Sequence, residues 1–301
     1  MGYCATLILV VVFPEAEKYF RDYFVSISNQ SYKNCDLLIL NDGIMDFSYV
    51  CTINSTVVDV QEGLSIAEIR MTGILYAIER SYKNIIFSDV DDFYSANRVE
   101  QSLAQLKNAN FVYNRIIPVD DMGSIQQSGN DTKFILPNQI SSSAKLLDFN
   151  LFGLSNTAVE LRLLENLIIP KEILAVDWWL YTILLLNGAK GKYIYNASTY
   201  YRQTDNNIVG MNKSLDDDRL DLGISVKYAH YLHIYEYCKD HGVTSKLDAY
   251  ALRKEQIIDL KTAVGDNEFR KQYIKTINLQ LDNVNKGWWS EILTLPEWDK
   301  L

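Results

Sequence analysis

The sequence predicts an α/β protein with a mostly parallel β-sheet. Up to about residue 117, short apolar segments alternate with amphipathic ones, which is the pattern of successive βαβ units. The length of 301 residues, the hydrophobic fraction of 48% and the charged fraction of 22% describe a globular chain with a large core. An apolar segment that starts at Asn84 is bounded by polar residues, as an interior strand of a parallel sheet would be.

The individual elements can be placed from periodicity and from end signals. Ser65 and Glu68 form a capping-box pattern at the start of one helix, and the turn-forming Asn41-Asp42-Gly43 ends the second strand. Besides the strand that starts at Asn84, the predicted strands cover residues 5–13, 36–40, 57–60 and 111–117, and the predicted helices cover 15–29, 65–80 and 96–107.

The remainder of the chain is less regular. Residues 118–143 are rich in Gly, Ser, Asn, Gln and Asp, and a loop of this length in a compact domain is usually functional. A helix from about Thr157, a helix around 177–186, a strand pair near 193–201 and a polar stretch at 203–213 are predicted next. The pattern is helical from residue 214 onward, so we predict one domain over 1–213, with halves 1–117 and 118–213, and a helical C-terminal region over 214–301.

Charge and cysteine usage exclude several functions. A net charge of −9 argues against nucleic-acid binding and against adhesion to anionic membranes. Cys4, Cys35, Cys51 and Cys238 show no paired spacing, which favours free thiols in a reducing compartment. The apolar run at 4–13 has no basic flank and is too short to span a bilayer. We therefore expect a cytoplasmic protein without a transmembrane segment, with at most peripheral membrane contact.

The strand that starts at Asn84 ends in the carboxylates of Asp89, Asp91 and Asp92. Alternate side chains of an extended backbone share a face, so Asp89 and Asp91 point the same way and repel each other unless a cation lies between them. Mg²⁺ is usually bound by one or two carboxylates, with substrate phosphates and water in its other positions. The alternative is an acidic loop in which Asp92 or Ser95 caps the next helix.

Five features in this order resemble the GT-A fold of family 2 nucleotide-sugar glycosyltransferases, over about residues 5–210. They are Asn41-Asp42-Gly43, a helix that carries Arg70, the acidic strand end at 88–92, Asp177-Trp178-Trp179 and Tyr200-Tyr201-Arg202-Gln203. The resemblance implies a Rossmann-like mixed sheet with a C-terminal helical appendage. It also implies an inverting transferase that uses Mn²⁺ or Mg²⁺ and moves a sugar from a nucleoside diphosphate, with UDP as the first candidate. The acceptor would be a saccharide or lipid-linked hydroxyl, in bacterial surface polysaccharide synthesis.

The resemblance also implies roles on the donor side. Asp91 would be the main metal ligand, and Asp89 would contact the ribose or the metal. Asp42 would accept the imide N–H of the base, as a carboxylate can. The main chain at Phe13 would lie beside the base, and Arg70 near the nucleotide. Asp92 would orient its neighbours or cap the next helix.

Asp177 is the predicted catalytic base, because a positioned carboxylate can take the proton of an attacking hydroxyl. The family usually has a second carboxylate before it, where this chain has Val176; the alternative is a helix-start aspartate favoured by the helix dipole. Arg202 would pair with the diphosphate. The histidine that the family often places soon afterwards is replaced by Thr204, so either Asp205 substitutes or the metal has fewer protein ligands.

Other functions are open to this sequence. A haloacid dehalogenase-type phosphatase also has Asp-x-Asp after an apolar strand, but it wants Thr or Val where this chain has Phe93, and it carries the motif near its N-terminus. A nucleotidyltransferase is disfavoured, because it would need a Gly-rich, Arg-containing loop after the first strand, where this chain has Phe13-Pro14-Glu15-Ala16. A non-catalytic sugar-nucleotide or carbohydrate-binding protein of the same fold is the alternative from a different class.

Overall fold

A computed structural model describes residues 5–45, 47–126, 136–204, 214–284 and 286–301. Its β-strands run over Thr6–Val12 (β1), Asp36–Asn41 (β2), Ser55–Asp59 (β3), Asn84–Phe87 (β4), Phe93–Tyr94 (β5), Phe111–Val119 (β6), Gln139–Ile140 (β7), Thr157–Glu160 (β8) and Gly191–Arg202 (β9). Its α-helices run over Phe20–Ser28 (α1), Ile66–Glu79 (α2), Arg98–Leu106 (α3), Val176–Leu186 (α4), Asp217–Asp240 (α5), Thr244–Ala263 (α6), Asn267–Leu279 (α7), Leu281–Val284 (α8) and Leu295–Trp298 (α9).

The strands form one mixed sheet in the order β3-β2-β1-β4-β8-β6-β9-β5, with β7 paired to β9. The first four strands in this order are parallel to one another. β8 lies antiparallel between β4 and β6, whereas β6 and β9 are parallel. The predicted α/β class is confirmed. The strand order reverses between β1 and β4, which is where open α/β sheets place their ligands.

β1 shows why the sheet is covered on both faces. All seven of its side chains are buried. Leu7 and Leu9 pack in one hydrophobic core, together with α2, α4 and the C-terminal helices. Ile8 and Val10 pack in a second core, together with α1 and α3. Since neighbouring residues of a strand face opposite sides, a continuous apolar run is what such a two-sided strand requires.

The helix ends follow local rules. α2 begins after Ser65, whose hydroxyl accepts the N–H of Glu68 while the Glu68 carboxylate accepts the N–H of Ser65, and this confirms the predicted capping box. α5 begins after Asp216, whose side chain accepts the N–H of Arg219. Neither Asp92 nor Ser95 caps α3, because that helix begins after Asn97.

Two elements differ from the sequence prediction. The segment from Thr157 is the strand β8 and not a helix, because it lies between β4 and β6 in the sheet and pairs with both. A strand of four residues carries too little periodicity to distinguish the two states. The predicted strand pair near 193–201 is the single strand β9, which pairs with β6 on both sides of a register shift.

The chain after residue 214 is helical and shares a core with the sheet. Buried side chains of α5, α6 and α7 belong to the same hydrophobic core as α2 and α4. Cys35, Cys51 and Cys238 are free thiols, and Cys4 lies outside the described residues. Across the described ranges, no helix has both the length and the apolar character that crossing a bilayer requires.

Candidate active site

A cleft of about 380 Å³ opens at the carboxyl ends of β1 and β4. It is lined by residues that follow these strands and by residues near the N-terminal ends of α2 and α4. The side chains that bear on chemistry are Phe13, Arg70, Asp89, Asp91, Asp177 and Tyr201. The described part of the chain therefore brings five of the predicted site residues to one cleft: Phe13, Arg70, Asp89, Asp91 and Asp177.

The strand end that carries the carboxylates is fixed through its main chain. The N–H of Ser88 and its hydroxyl both donate to the carbonyl of Leu9 on β1, each at 2.9 Å. The N–H of Asp89 donates to the Tyr94 hydroxyl at 2.9 Å, and that hydroxyl donates back to the Asp89 carbonyl at 3.1 Å. These bonds hold the carboxylates at the cleft floor independently of any ligand.

Asp89 and Asp91 have different electrostatic surroundings. Asp89 is paired with Arg70, whose Nη2 lies 2.5 Å from its Oδ1. Burial raises the pKa of Asp91 to about 6, and the neighbouring negative charge of Asp89 adds to the rise. Asp91 is thus a carboxylate whose charge the protein leaves poorly compensated.

A divalent cation suits this pair of carboxylates. In the described residues, no group of three or more His, Cys, Asp or Glu side chains is arranged to hold a metal. Two carboxylates are enough for Mg²⁺ or Mn²⁺ when substrate phosphates complete the coordination. Asp91, with Asp89 beside it, offers hard oxygen ligands, and a cation would offset both the burial of the Asp91 charge and its repulsion by Asp89, which raise the pKa of Asp91.

Asp92 does not line the cleft. Its side chain is 1% exposed, and its Oδ1 accepts the N–H of Arg202 at 2.9 Å. Burial raises its pKa well above the ordinary value, and the charges of Asp91 and Asp89 contribute. Of its two predicted roles, orienting neighbours or capping a helix, the contact matches the first.

Asp177 lies in the first turn of α4 and lines the same cleft. Its Oδ1 accepts the N–H of Trp178 at 2.7 Å. Burial raises its pKa to about 7, while the bond from Trp178 acts in the opposite direction and lowers it. A carboxylate with this pKa accepts a proton readily near neutral pH.

The remaining predicted residues are placed as follows. Phe13, directly after β1, lines the cleft. Asp42 is half-buried directly after β2, and its N–H donates to the Val12 carbonyl at 2.8 Å. Thr204 also lines the cleft, and Asp205 lies outside the described residues.

Arg202 occupies a position that the sequence did not predict. It is 1% exposed, and it is not among the described residues that line the cleft. Its guanidinium forms an ion pair with Asp22 at 2.7 Å and donates to two main-chain carbonyls. In this conformation it contacts protein groups, whereas the sequence predicted a contact with the diphosphate.

Aromatic side chains reach the cleft from an unexpected part of the chain. Trp178 and Trp179 are 0% and 2% exposed and pack in the core, so they do not offer a face to a sugar. Trp288 and Trp289 line the cleft instead. No local pattern in the sequence indicates this, because Trp288 and Trp289 lie more than a hundred positions after Asp177 in the chain. The only signal was the density of tryptophan near the C-terminus.

Comparison with known proteins gives matches in structure only. No protein-family model matches the sequence, and neither does any curated protein. The mannosyltransferase PcManGT from Pyrobaculum calidifontis, solved with GDP-Man and Mn²⁺, matches with a TM-score of 0.55 and 12% identity over 92% of this chain and 80% of that one.

Two further structures agree with this match. S. aureus TarS 1-349 with UDP-GlcNAc matches with a TM-score of 0.53 and 12% identity. The match covers 75% of this chain and 66% of the TarS fragment, which is just under two thirds of that fragment. GalNAc-T7 with UDP, GalNAc and Mn²⁺ matches with a TM-score of 0.50 and 11% identity, over 67% of this chain and 44% of GalNAc-T7. Likenesses at this identity establish the architecture: the chain has the GT-A fold of nucleotide-sugar glycosyltransferases.

Proposed function

We propose that this protein is an inverting, metal-dependent glycosyltransferase. It would transfer a sugar from a nucleoside diphosphate, with UDP as the first candidate, to a hydroxyl of a saccharide or lipid-linked acceptor. The matching structures hold UDP-GlcNAc, GDP-Man or UDP, and two of them hold Mn²⁺. A cytoplasmic role in bacterial surface polysaccharide synthesis is part of this proposal and rests on the family resemblance.

One observation carries the proposal. Asp177 and the Asp89–Asp91 pair, which are far apart in sequence, line the same cleft. The Asp89–Asp91 pair offers carboxylates that suit a cation and a diphosphate, and Asp177 offers a carboxylate whose pKa is about 7. A donor held at the pair would present its anomeric carbon to an acceptor held near Asp177.

The reaction follows from this arrangement. Asp177 takes the proton of the acceptor hydroxyl while the oxygen of that hydroxyl attacks the anomeric carbon. The bond between that carbon and the diphosphate oxygen breaks, and its electron pair leaves with the diphosphate. A bound cation supplies Lewis-acid stabilisation of the charge that develops on the phosphate oxygens. A single displacement from the face opposite the leaving group inverts the anomeric configuration.

The donor side would use residues at the ends of β1 and β2. Phe13 lines the cleft directly after β1, and Asp42 lies at the adjacent end of β2. We assign the base to this corner, with the Asp42 carboxylate as acceptor for an N–H of the base. Arg70 neutralises Asp89 and contributes positive charge near the diphosphate.

Two alternatives can be weighed against the same site. A non-catalytic binding protein would need the residues that hold the cation and the donor but no proton acceptor in the same cleft, and Asp177 is present there. A haloacid dehalogenase-type phosphatase is disfavoured, because three strands precede the acidic strand end and the matching structures are glycosyltransferases.

The proposal is tested by calorimetric titration of UDP and GDP, each with Mn²⁺ and with a chelator. We expect binding of one nucleotide that Mn²⁺ strengthens. Absence of metal-dependent binding for both nucleotides would refute the catalytic assignment. Replacement of Asp177 by Asn should then leave binding intact, and loss of binding in that variant would make the role of Asp177 structural.

A further inference from the structure

The side chain of Arg202 connects three separate segments behind the cleft. Its Nε donates to the Asp91 carbonyl at 2.8 Å, and its Nη1 donates to the Asp121 carbonyl at 2.5 Å. Its Nη2 lies 2.7 Å from Oδ2 of Asp22 on α1. The guanidinium carbon is also 4.5 Å from the ring centre of Tyr19, a residue that lines the cleft.

The main chain of Arg202 adds a fourth connection. Its N–H donates to Oδ1 of Asp92 at 2.9 Å, so Asp91 and Asp92 are both bonded to this one residue. Arg202 is the last residue of β9, where it pairs in register with Val119 of β6. The end of the sheet thereby fixes the turn that presents the Asp91 carboxylate.

We propose that Arg202 is a positioning residue which, together with Asp92, holds Asp91 in place for the cation and does not itself bind the donor phosphates. The inference rests on the function proposed above. At least three of the five guanidinium N–H donors are bonded to oxygens of the described residues, and the side chain is 1% exposed. A direct phosphate contact would require breaking these charge-assisted bonds.

The two roles predict different responses to the β-phosphate. Binding of UDP and of UMP, or of GDP and GMP if wild type binds only the guanine nucleotide, is measured with a chelator and with Mn²⁺ for wild type, Arg202→Lys and Asp22→Asn. Lysine keeps the charge but cannot form the three-way connection. Asp22 is exposed and is not among the described cleft residues, so Asp22→Asn loosens Arg202 without touching the site. Arg21→Lys, an exposed neighbour on α1, is the matched control.

A positioning role predicts a specific pattern. Without metal, the ratio of UDP to UMP affinity in Arg202→Lys should stay within about twofold of wild type, because no phosphate contact is lost. The strengthening of UDP binding by Mn²⁺ should fall about tenfold in Arg202→Lys, and about threefold in Asp22→Asn. Arg21→Lys should match wild type, and melting curves confirm that each variant is folded.

Other outcomes overturn the inference. A metal-free UDP to UMP ratio that falls about tenfold in Arg202→Lys would identify a direct phosphate contact. A Mn²⁺ effect that stays unchanged in both variants would show that nothing is positioned. If wild type binds neither UDP nor GDP under any condition, the proposed function fails as well, and this result differs from both of the others.

Discussion

Asn150 and Trp288 exchange two main-chain hydrogen bonds, with N–O distances of 3.0 and 2.9 Å. Both residues line the cleft. The Asn150 side chain also lowers the pKa of the Asp177 carboxyl, which favours the charged form of that acid. The segment that carries Trp288 is thus paired with a residue that acts on the proposed base, so the C-terminal region contributes to the site and does not only extend the fold.

Gly287→Ala is expected to disrupt this connection. A Cβ at Gly287 would lie 2.3 Å from the Asn150 carbonyl oxygen, which is a backbone atom and cannot turn aside. We expect a loss of stability of about 1–3 kcal/mol in urea unfolding, and reduced transfer with unchanged UDP–Mn²⁺ binding. The exposed neighbour variant Lys286→Ala should resemble wild type. If nucleotide binding in Gly287→Ala fell as much as transfer does, the Trp288 segment would not act on the acceptor side alone.

Asp177 should determine the pH dependence of transfer. Its pKa is raised to about 7 by burial, and the base must be deprotonated to act. The rate should therefore rise about tenfold per pH unit below this value and level off above it. Asp177→Asn should lower the rate by about 10²–10⁴ and remove this ionisation from the profile. The range from about pH 5 to about pH 8 extends from below the pKa to above it. A rate that stays constant across this range would exclude Asp177 as the base.

The same raised pKa makes a separate prediction about stability. An acid whose pKa is higher in the folded state stabilises the fold while it is protonated, and this contribution is lost as the pH rises through the folded value of about 7. Asp177→Asn, which cannot ionise, should be more stable than wild type at pH 8 by about 4 kcal/mol, because a pKa raised from about 4 to about 7 corresponds to that free energy. The difference should disappear below the ordinary aspartate pKa of about 4. Urea unfolding at both pH values measures it.

Much of the fold could be predicted because its signals are local or repetitive. The capping box at Ser65 and Glu68 lies within four residues, and the run of β1 is apolar throughout. The acidic strand end was predicted because carboxylates placed after a buried strand at the switch point have a limited set of uses. These features need no knowledge of distant contacts.

The parts that the sequence did not predict depend on such distant contacts. β8 is recognisable as a strand only through its neighbours β4 and β6. Trp288 reaches the cleft through its pairing with Asn150. Arg202 was expected to bind phosphate by analogy, yet its ion pair with Asp22 joins residues 180 positions apart. Pairings of this kind leave no periodic pattern in a single sequence.

The two cleft carboxylates should differ in their effect on metal-dependent binding. Among the described residues Asp91 forms no ion pair, whereas Arg70 neutralises Asp89 at 2.5 Å. We expect Asp91→Asn to reduce the Mn²⁺-dependent gain in UDP affinity by at least about 100-fold, and Asp89→Asn to reduce it less. Titrations with and without Mn²⁺ measure both, with the exposed Asp240→Asn as control. The reverse order would transfer the main ligand role to Asp89.

Arg98 is a buried cation that supports the strand end from within the core. It is 1% exposed, its Nη2 donates to the Phe87 carbonyl at 2.6 Å, and its guanidinium lies 4.2 Å from the ring centre of Tyr94. Phe87 is the last residue of β4, directly before the acidic turn. Because a lysine cannot reproduce the planar fork, Arg98→Lys leaves buried acceptors without a donor.

We expect Arg98→Lys to lower the free energy of unfolding by about 2–4 kcal/mol. Arg80→Lys is the matched control, because Arg80 also stacks on a tyrosine, Tyr76, at 3.6 Å but is exposed to solvent. The control should change stability by less than about 0.5 kcal/mol. Equal small effects for both variants in urea unfolding would mean that the bond from Arg98 to Phe87 does not stabilise the acidic strand end.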